Sequence, residues 1–110
     1  MSTLSNSVRL TGFLGAAPEV KFTDNEKKYV KLSLATNHFR KNDQGDRVKE
    51  VNWHPIVLWE QQATLAEKYL DKGSKIAVEG RLVSRYYTDK DGIKRHSMEV
   101  FVNEIDFLRN

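Results

Sequence analysis

The chain has 110 residues, which is enough for one domain with its own hydrophobic core. Hydrophobic residues make up 39% and charged residues 30%, and no apolar run is long enough for a transmembrane helix. The absence of cysteine excludes disulfide bonds and thiolate metal sites, and the net charge of +3 is a mild bias toward anionic partners. Residues 1–6 carry neither a signal-peptide nor a transit-peptide pattern, so we expect a cytoplasmic protein.

The first alternating segment covers residues 7–14 and predicts a strand. The residues predicted to face the core are Val8, Leu10 and Leu14. Gly12 predicts a bulge or a sharp bend, as a small barrel needs at its corners. Residues 15–18 end the strand, and residues 20–22 form a short extended piece.

A second long strand is predicted for residues 28–39, followed by a loop at 42–46 that is rich in turn-forming residues. The residues predicted to face the core are Val30, Leu32 and Leu34. The opposite face is polar except at its ends, where Phe39 lies beside Arg40 and Lys41.

The third strand, residues 51–59, carries both tryptophans of the chain. Side chains alternate along a strand, so Trp53 and Trp59 share one face while Ile56 and Leu58 point the other way. The alternative is that both tryptophans are core residues, since large aromatic side chains are usually well buried. Pro55 cannot donate to a ladder, which predicts an edge or a bulge at that position.

Residues 60–72 change to a spacing of three and four, which predicts a short amphipathic helix without a strong N-cap. Gly73 is predicted to end it in the left-handed conformation. Two strands follow at 75–87 and 95–108, joined by a hairpin turn at 89–92. The residues of these strands predicted to face the core are Ile76, Val78, Leu82, Met98, Val100 and Val102.

Five strands with one helix between the third and the fourth is the element order of an OB-fold, a five-stranded Greek-key barrel. This all-β fold with one short helix is the predicted fold class, and glycines in the first and fourth strands suit its tight curvature. A β-sandwich and an open α+β sheet remain as alternatives at this point.

Four aromatic residues take the outward parity on three different strands, and cations lie near them in sequence. The aromatic residues are Phe39, Trp53, Trp59 and Tyr87. Unpaired bases stack on such rings while phosphates pair with Lys and Arg, so the pattern predicts sequence-independent binding of single-stranded nucleic acid. The residues predicted to contact phosphates are Arg9, Arg40, Lys41, Arg47, Lys49, Arg81, Arg85 and Lys94. The alternatives are core or subunit contacts for each ring, and a solvated charge for each cation.

From residue 4 to residue 107 the chain resembles the bacterial single-stranded DNA-binding protein family. The segments that carry the resemblance are, in order, residues 6–15, Ala17-Pro18-Glu19-Val20, Leu32-Ser33-Leu34-Ala35-Thr36, Trp53-His54, Val57-Leu58, Tyr69-Leu70, Lys72-Gly73-Ser74, Val78-Glu79-Gly80-Arg81-Leu82, Tyr87-Thr88-Asp89, Gly92 and Glu99-Val100. Their shared order and spacing are specific, whereas any one segment alone is not.

The resemblance implies an OB barrel, a homotetramer and a role in DNA replication, recombination and repair. It also implies that DNA passes over the four rings; the family often has Trp at the first and last of these positions and Phe at the third. The position that matches His54 lies at subunit contacts in the family, although a satisfied buried histidine is an equal alternative. Outward apolar residues such as Val51 and Val57 also favour an oligomer, because they need cover.

The chain departs from the family pattern in two respects. The family usually continues with a flexible linker and an acidic tip that recruits replication and repair enzymes, whereas this chain ends at Asn110, so partners bound through that tail are not expected. Pro55 stands where the family often has a basic residue, which removes one phosphate contact.

The rival functions come from other classes. A tailless OB-fold relative could serve as a replication-restart accessory or bind RNA. A nuclease would need acidic residues grouped around a metal, but the aspartates at 43, 46, 89 and 91 are simpler to interpret as turn formers. The histidines at 38, 54 and 96 show no ligand spacing, so we expect no metal, no cofactor and no enzyme activity. A purely structural protein without a ligand is the last alternative.

Overall fold

Alternating apolar residues build a sheet of long strands in residues 5–109, which are the residues that the computed structural model describes. Its elements are β1 (Val8–Leu14), β2 (Glu19–Phe22), β3 (Lys28–Lys41), β4 (Arg47–Trp59), α1 (Gln61–Tyr69), β5 (Lys75–Thr88) and β6 (Lys94–Leu108). The prediction of no targeting segment concerns residues 1–6, and residues 1–4 lie outside the described part of the chain.

The sheet closes on itself. Its strand order is β1-β5-β6-β4-β3-β2, and an additional pairing of β1 with β3 completes a barrel of β1, β5, β6, β4 and β3. The pairings are antiparallel except between β4 and β6, which run parallel at Ile56–Val100 and Val57–Phe101. The helix lies between the third and fourth barrel strands, so the predicted five-stranded barrel is confirmed and β2 is a short addition paired with β3.

The predicted inward residues of β3, β4 and β5 form the centre of the core. The most deeply buried are Val30, Leu34, Ile56, Leu58 and Ile76, each 0% exposed. Helix α1 covers this core with its two small residues, Ala63 and Ala66. Its alanine face allows the helix backbone to approach the barrel closely.

Two glycines lie where the backbone of another strand comes very close. A Cβ atom at Gly12 would lie 2.1 Å from the Ala35 carbonyl oxygen, and one at Gly80 would lie 2.2 Å from that of Phe101. The register of β5 and β6 shifts at Gly80, where Asn103 is the extra residue of a bulge. The irregularity at Gly80 agrees with a glycine that permits bending in the fourth barrel strand, whereas the β1–β5 register runs through Gly12 without a shift and the bend or bulge there stays a prediction.

Pro55 lies within β4 opposite Ser33. The Ser33 carbonyl accepts a hydrogen bond from the Gly15 N–H at 3.0 Å, so it points away from β4. The Ser33–Pro55 pair is consequently a non-hydrogen-bonded pair of the ladder, and the missing N–H of proline costs no bond to β3. Pairing of β4 with β6 begins only at Ile56, so the edge prediction is confirmed.

The helix is shorter than predicted. It ends at Tyr69, and Leu70 is already extended with its side chain in the core. Gly73 has the predicted positive φ of 88°, but it lies in the turn before β5 and its N–H donates to the Leu14 carbonyl at 2.8 Å. This bond ties the segment to β1, which prevents the helix from continuing to residue 72.

Two residues predicted as core are exposed instead. Leu82 and Met98 are each 41% exposed, although they keep the inward parity and Leu82 lies opposite the buried Val100. Pairing of β1 with β5 stops at Gly80, and pairing of β6 with β4 begins at Val100, which lies opposite Leu82, so β5 and β6 continue from this rim as a two-stranded ribbon past the barrel. The inward face of the ribbon therefore has no barrel interior to enter.

Candidate nucleic-acid interface

The outward side chains of β3, β4, β5 and β6 form a continuous surface, which we call the outer face. The register of β3 and β4 places Ala35 opposite Trp53 and Tyr29 opposite Trp59 on this face. Trp53 is 56% exposed, which excludes the alternative that it is a core residue. Phe39 and Tyr87 are also exposed, and Trp59 is half-buried.

Trp53 lies against the segment that follows β1. A Cβ atom at Gly15 would be 2.5 Å from a carbon of the indole ring. The glycine therefore leaves the space that the ring occupies. Beside the ring is an open groove of about 350 Å³ that is lined in part by Lys31, Ser33 and Pro55. Glu19 also lines the groove, so the arrangement offers an aromatic surface for a base with a cation, a hydroxyl group and a carboxylate around it.

Trp59 is the middle ring of a row that crosses three strands. Its ring centroid lies 5.1 Å from that of Tyr29 on β3 and 5.6 Å from that of Phe101 on β6. Sequence reasoning did not assign a role to Tyr29 or Phe101. The signal was present, because Phe101 alternates with the core residues Val100 and Val102 and must therefore point outward.

Cations lie close to several of these rings. The Arg47 guanidinium lies 4.0 Å from the ring centroid of Phe39, and Lys27 Nζ lies 4.9 Å from that of Trp59. The guanidinium groups of Arg81 and Arg85 lie 5.6 Å and 5.7 Å from the ring centroids of Phe101 and Tyr87, respectively. Cation–π attraction accounts for these positions. The outer face thus presents rings with positive charge already beside them.

The structure brings five of the eight predicted phosphate contacts to the outer face. They are Lys41, Arg47, Lys49, Arg81 and Arg85. Arg40 is at the alternate parity, where it pairs with Glu50 on the opposite side of the β3–β4 ribbon. Lys94 is the cross-strand partner of Thr88, and its side chain is therefore on the side of the β5–β6 ribbon away from Tyr87.

Arg9 is on the outward side of β1 but has a different setting. Its Nε donates to Glu79 at 2.8 Å, and the adjoining shallow groove also contains Glu104 and Asp106. These carboxylates make the surroundings of Arg9 unfavourable for a phosphate. The structure does not bring Arg9 together with the aromatic rings.

His54 has the inward parity and is half-buried. Its Nε2 is hydrogen bonded to Thr36 Oγ1 at 2.8 Å. The side chain is therefore satisfied within its own chain, as one of the two alternatives predicted, and a subunit contact at this position stays a prediction.

The acidic residues singled out by the sequence act within turns. Asp89 accepts hydrogen bonds from the N–H groups of Asp91 and Ile93 and from Arg95 Nε. These bonds lower the pKa of Asp89 from its usual value, and the bond from Arg95 has the largest effect. Within residues 5–109, no group of three His, Asp or Glu side chains could hold a metal ion, and no helix is long and apolar enough to cross a membrane.

Residues 5–108 match the model of the single-strand binding protein family. The chain belongs to this family. Single-stranded DNA-binding proteins of Neisseria meningitidis are 38% identical over 103 residues, which are 94% of this chain and 59% of the relative. Single-stranded DNA-binding protein 1 of Xylella fastidiosa is 36% identical, over 94% of this chain and 76% of the relative. The chain thus spans about three fifths of the length of the first of these relatives.

Solved structures agree with the family assignment. A complex of Plasmodium falciparum SSB with ssDNA has a TM-score of 0.83 and 30% identity, and the match covers 99% of this chain and all of that one. The single-stranded DNA-binding protein of Thermus aquaticus, as a deletion mutant, has a TM-score of 0.81 and 33% identity over 94% of this chain and 50% of that chain. The OB-fold prediction is confirmed, and the family is one of binding proteins, as predicted, and not of enzymes.

Proposed function

We propose that the chain, as one OB domain over residues 1–110, binds single-stranded DNA without sequence preference in DNA replication, recombination and repair. The observation that carries the proposal is the outer face, where exposed aromatic rings from different strands lie among cations. Each ring is a stacking platform for one base, and the neighbouring cations are partners for the phosphates. The similarity to a protein solved with ssDNA supports the same conclusion.

The ring faces favour single strands over duplex DNA. In a duplex the flat faces of the bases are already stacked on one another, so an exposed ring such as Trp53 gains nothing from them. Every base has a π-face, and stacking therefore requires no particular base. The cations contribute a part of the affinity that falls as the salt concentration rises, because the release of counterions from the strand is then less favourable.

Titration with a thymidine oligomer, followed by tryptophan fluorescence at several salt concentrations, tests the proposal. We expect quenching of the fluorescence with a defined stoichiometry, and much weaker binding of a duplex of the same length. Equal affinity for the two forms would contradict single-strand binding. An RNA oligomer of equal length is the third arm, because tighter binding of RNA would favour the rival function.

We also propose that the chain assembles as a homotetramer. Support comes from Leu82 and Met98, whose 41% exposure on the inward face of the ribbon leaves apolar surface without cover, and from the exposed Val51. Val57 was predicted to need cover from a neighbouring subunit. It is only 2% exposed within its own chain, so it gives no support to an oligomer. Light scattering at micromolar concentration tests the assembly, and the mass of a monomer would contradict it.

A further inference from the structure

Glu99 is a buried carboxylate in the middle of the outer face. It is 2% exposed, and it is the buried charged residue of the described chain. Its two oxygens lie 3.0 Å from Lys31 Nζ and 3.5 Å from Arg85 Nε. A small cavity of about 70 Å³ adjoins the carboxylate beside the rings of Trp59 and Phe101.

The three charged residues come from three strands. Lys31 is on β3, Arg85 on β5 and Glu99 on β6, so the register of the barrel alone brings them together. Burying a carboxylate is costly unless it is paired, and replacement of such pairs by apolar groups is often neutral or stabilising. The stability of the barrel therefore does not explain why a charge is placed here.

The geometry of the two cations indicates a use for this charge. Arg85 approaches Glu99 with Nε at an ion-pair distance of 3.5 Å, and its guanidinium carries two further, terminal nitrogens that can donate to another acceptor. Lys31 Nζ has three donors and lies within ion-pair distance of Glu99, at 3.0 Å. The side chain of Arg85 is 49% exposed and that of Lys31 is 36% exposed, in contrast to the buried carboxylate between them.

We propose that Glu99 is a positioning residue that holds Lys31 and Arg85 together as a clamp for one phosphate of the bound strand. This inference rests on the proposed function and names a subsite within it. The clamp lies between the Trp59 row and Tyr87, so a phosphate bound there joins the bases that stack on either side. Anchoring both long side chains beforehand reduces the entropy that they lose on binding.

Glu99→Gln tests the proposal because charge and positioning predict opposite signs. The substitution makes the outer face more positive by one charge, so electrostatics alone predicts tighter binding and a steeper salt dependence. If Glu99 positions the clamp, we expect binding of a thymidine oligomer to weaken about tenfold, within the range of coupling between contacting residues. The slope of log affinity against log salt should also flatten by about 0.7 if the clamp no longer neutralises its phosphate.

Glu79→Gln is the matched control. Glu79 is also a barrel carboxylate paired with an arginine, but it lies away from the clamp and is partly exposed. This variant should bind as tightly as the wild type or more tightly. In a background that lacks both cations, Lys31→Ala with Arg85→Ala, Glu99→Gln should have no further effect.

Each outcome decides the inference. Unchanged or tighter binding by Glu99→Gln, or an equal loss in the background without the two cations, would overturn it. If the Gln variant does not fold, as judged by its thermal midpoint, Glu99→Asp replaces it, since Asp keeps the charge with a shorter reach. Intermediate affinity of the Asp variant supports the clamp, and wild-type affinity overturns it. Failure of the wild-type chain to bind would instead refute the proposed function itself.

Discussion

Replacing Trp53 by Ala should remove a stacking platform without unfolding the barrel. The indole is 56% exposed, so 44% of a side chain of roughly 250 Å² is covered, or about 110 Å². At about 25 cal/mol per Å², the loss of this burial costs at most about 3 kcal/mol of unfolding free energy. Domains of this size are commonly stable by about 5–15 kcal/mol, so Trp53→Ala should remain folded at room temperature.

The same substitution should weaken DNA binding much more visibly. A base stacked on an aromatic ring contributes about 1–3 kcal/mol, which corresponds to a loss of about 5-fold to 150-fold in affinity. The loss should persist at high salt, because stacking releases few counterions. Anisotropy of a labelled thymidine oligomer is the suitable measurement, since the variant has lost one of the two fluorescent tryptophans.

Tyr69→Ala is the matched control for this experiment. Tyr69 is 57% exposed, almost the same as Trp53, but it lies on helix α1 away from the outer face. We expect its affinity for the oligomer to equal that of the wild type. Wild-type affinity of Trp53→Ala would refute base stacking at this position. A variant that is unfolded at room temperature would instead show that Trp53 stabilises the barrel more than its exposure indicates.

Three further predictions concern charge, space and pH. Arg85→Ala should weaken oligomer binding mainly at low salt, with a salt slope flatter by about 0.7 for each phosphate that the arginine neutralises in the wild type. Gly15→Ala should displace the Trp53 ring, which lies 2.5 Å from the added carbon, and weaken binding less than Trp53→Ala does in the same assay. Arg95→Ala should raise the pKa of Asp89 toward its usual value in a carboxyl NMR titration. Because folding lowers this pKa, the associated stability is present above the unfolded-state pKa and is lost as pH falls through the folded-state value.

Alternation along single strands predicted the outer face well. It correctly separated Trp53 from the buried Ile56 and Leu58, because the face of a strand residue depends only on its parity. It failed for Leu82 and Met98, because parity gives the side of a strand and not what covers that side. The end of the barrel depends on where β1 stops pairing, which is a long-range property.

The centre of the outer face was beyond a strand-by-strand analysis. Glu99 is 68 positions from Lys31 and 14 from Arg85 in the chain, and only the cross-strand register makes them neighbours. Arg40 is next to Phe39 in sequence but lies on the other side of the β3–β4 ribbon, so proximity in sequence was misleading there. Strand parity and the family resemblance both gave the four stacking positions, but neither gave the row of Tyr29, Trp59 and Phe101.

The two narrow seams of the barrel bear on its motions. Long ladders join β1, β5 and β6 into one unit and β2, β3 and β4 into another. In the described residues, two ladder pairs with the Gly15–Ser33 hydrogen bond join these units at β1–β3, and two ladder pairs join them at β4–β6. Local opening should begin where so few bonds must break, and the amide proton of Val57, which faces β6, should exchange earlier than those in the ladder centres. The contacts Trp59–Phe101 and Lys31–Glu99 cross the second seam. A strand of DNA bound over these contacts would hold the two units together. Its binding should therefore slow the exchange of amide protons at the β4–β6 seam.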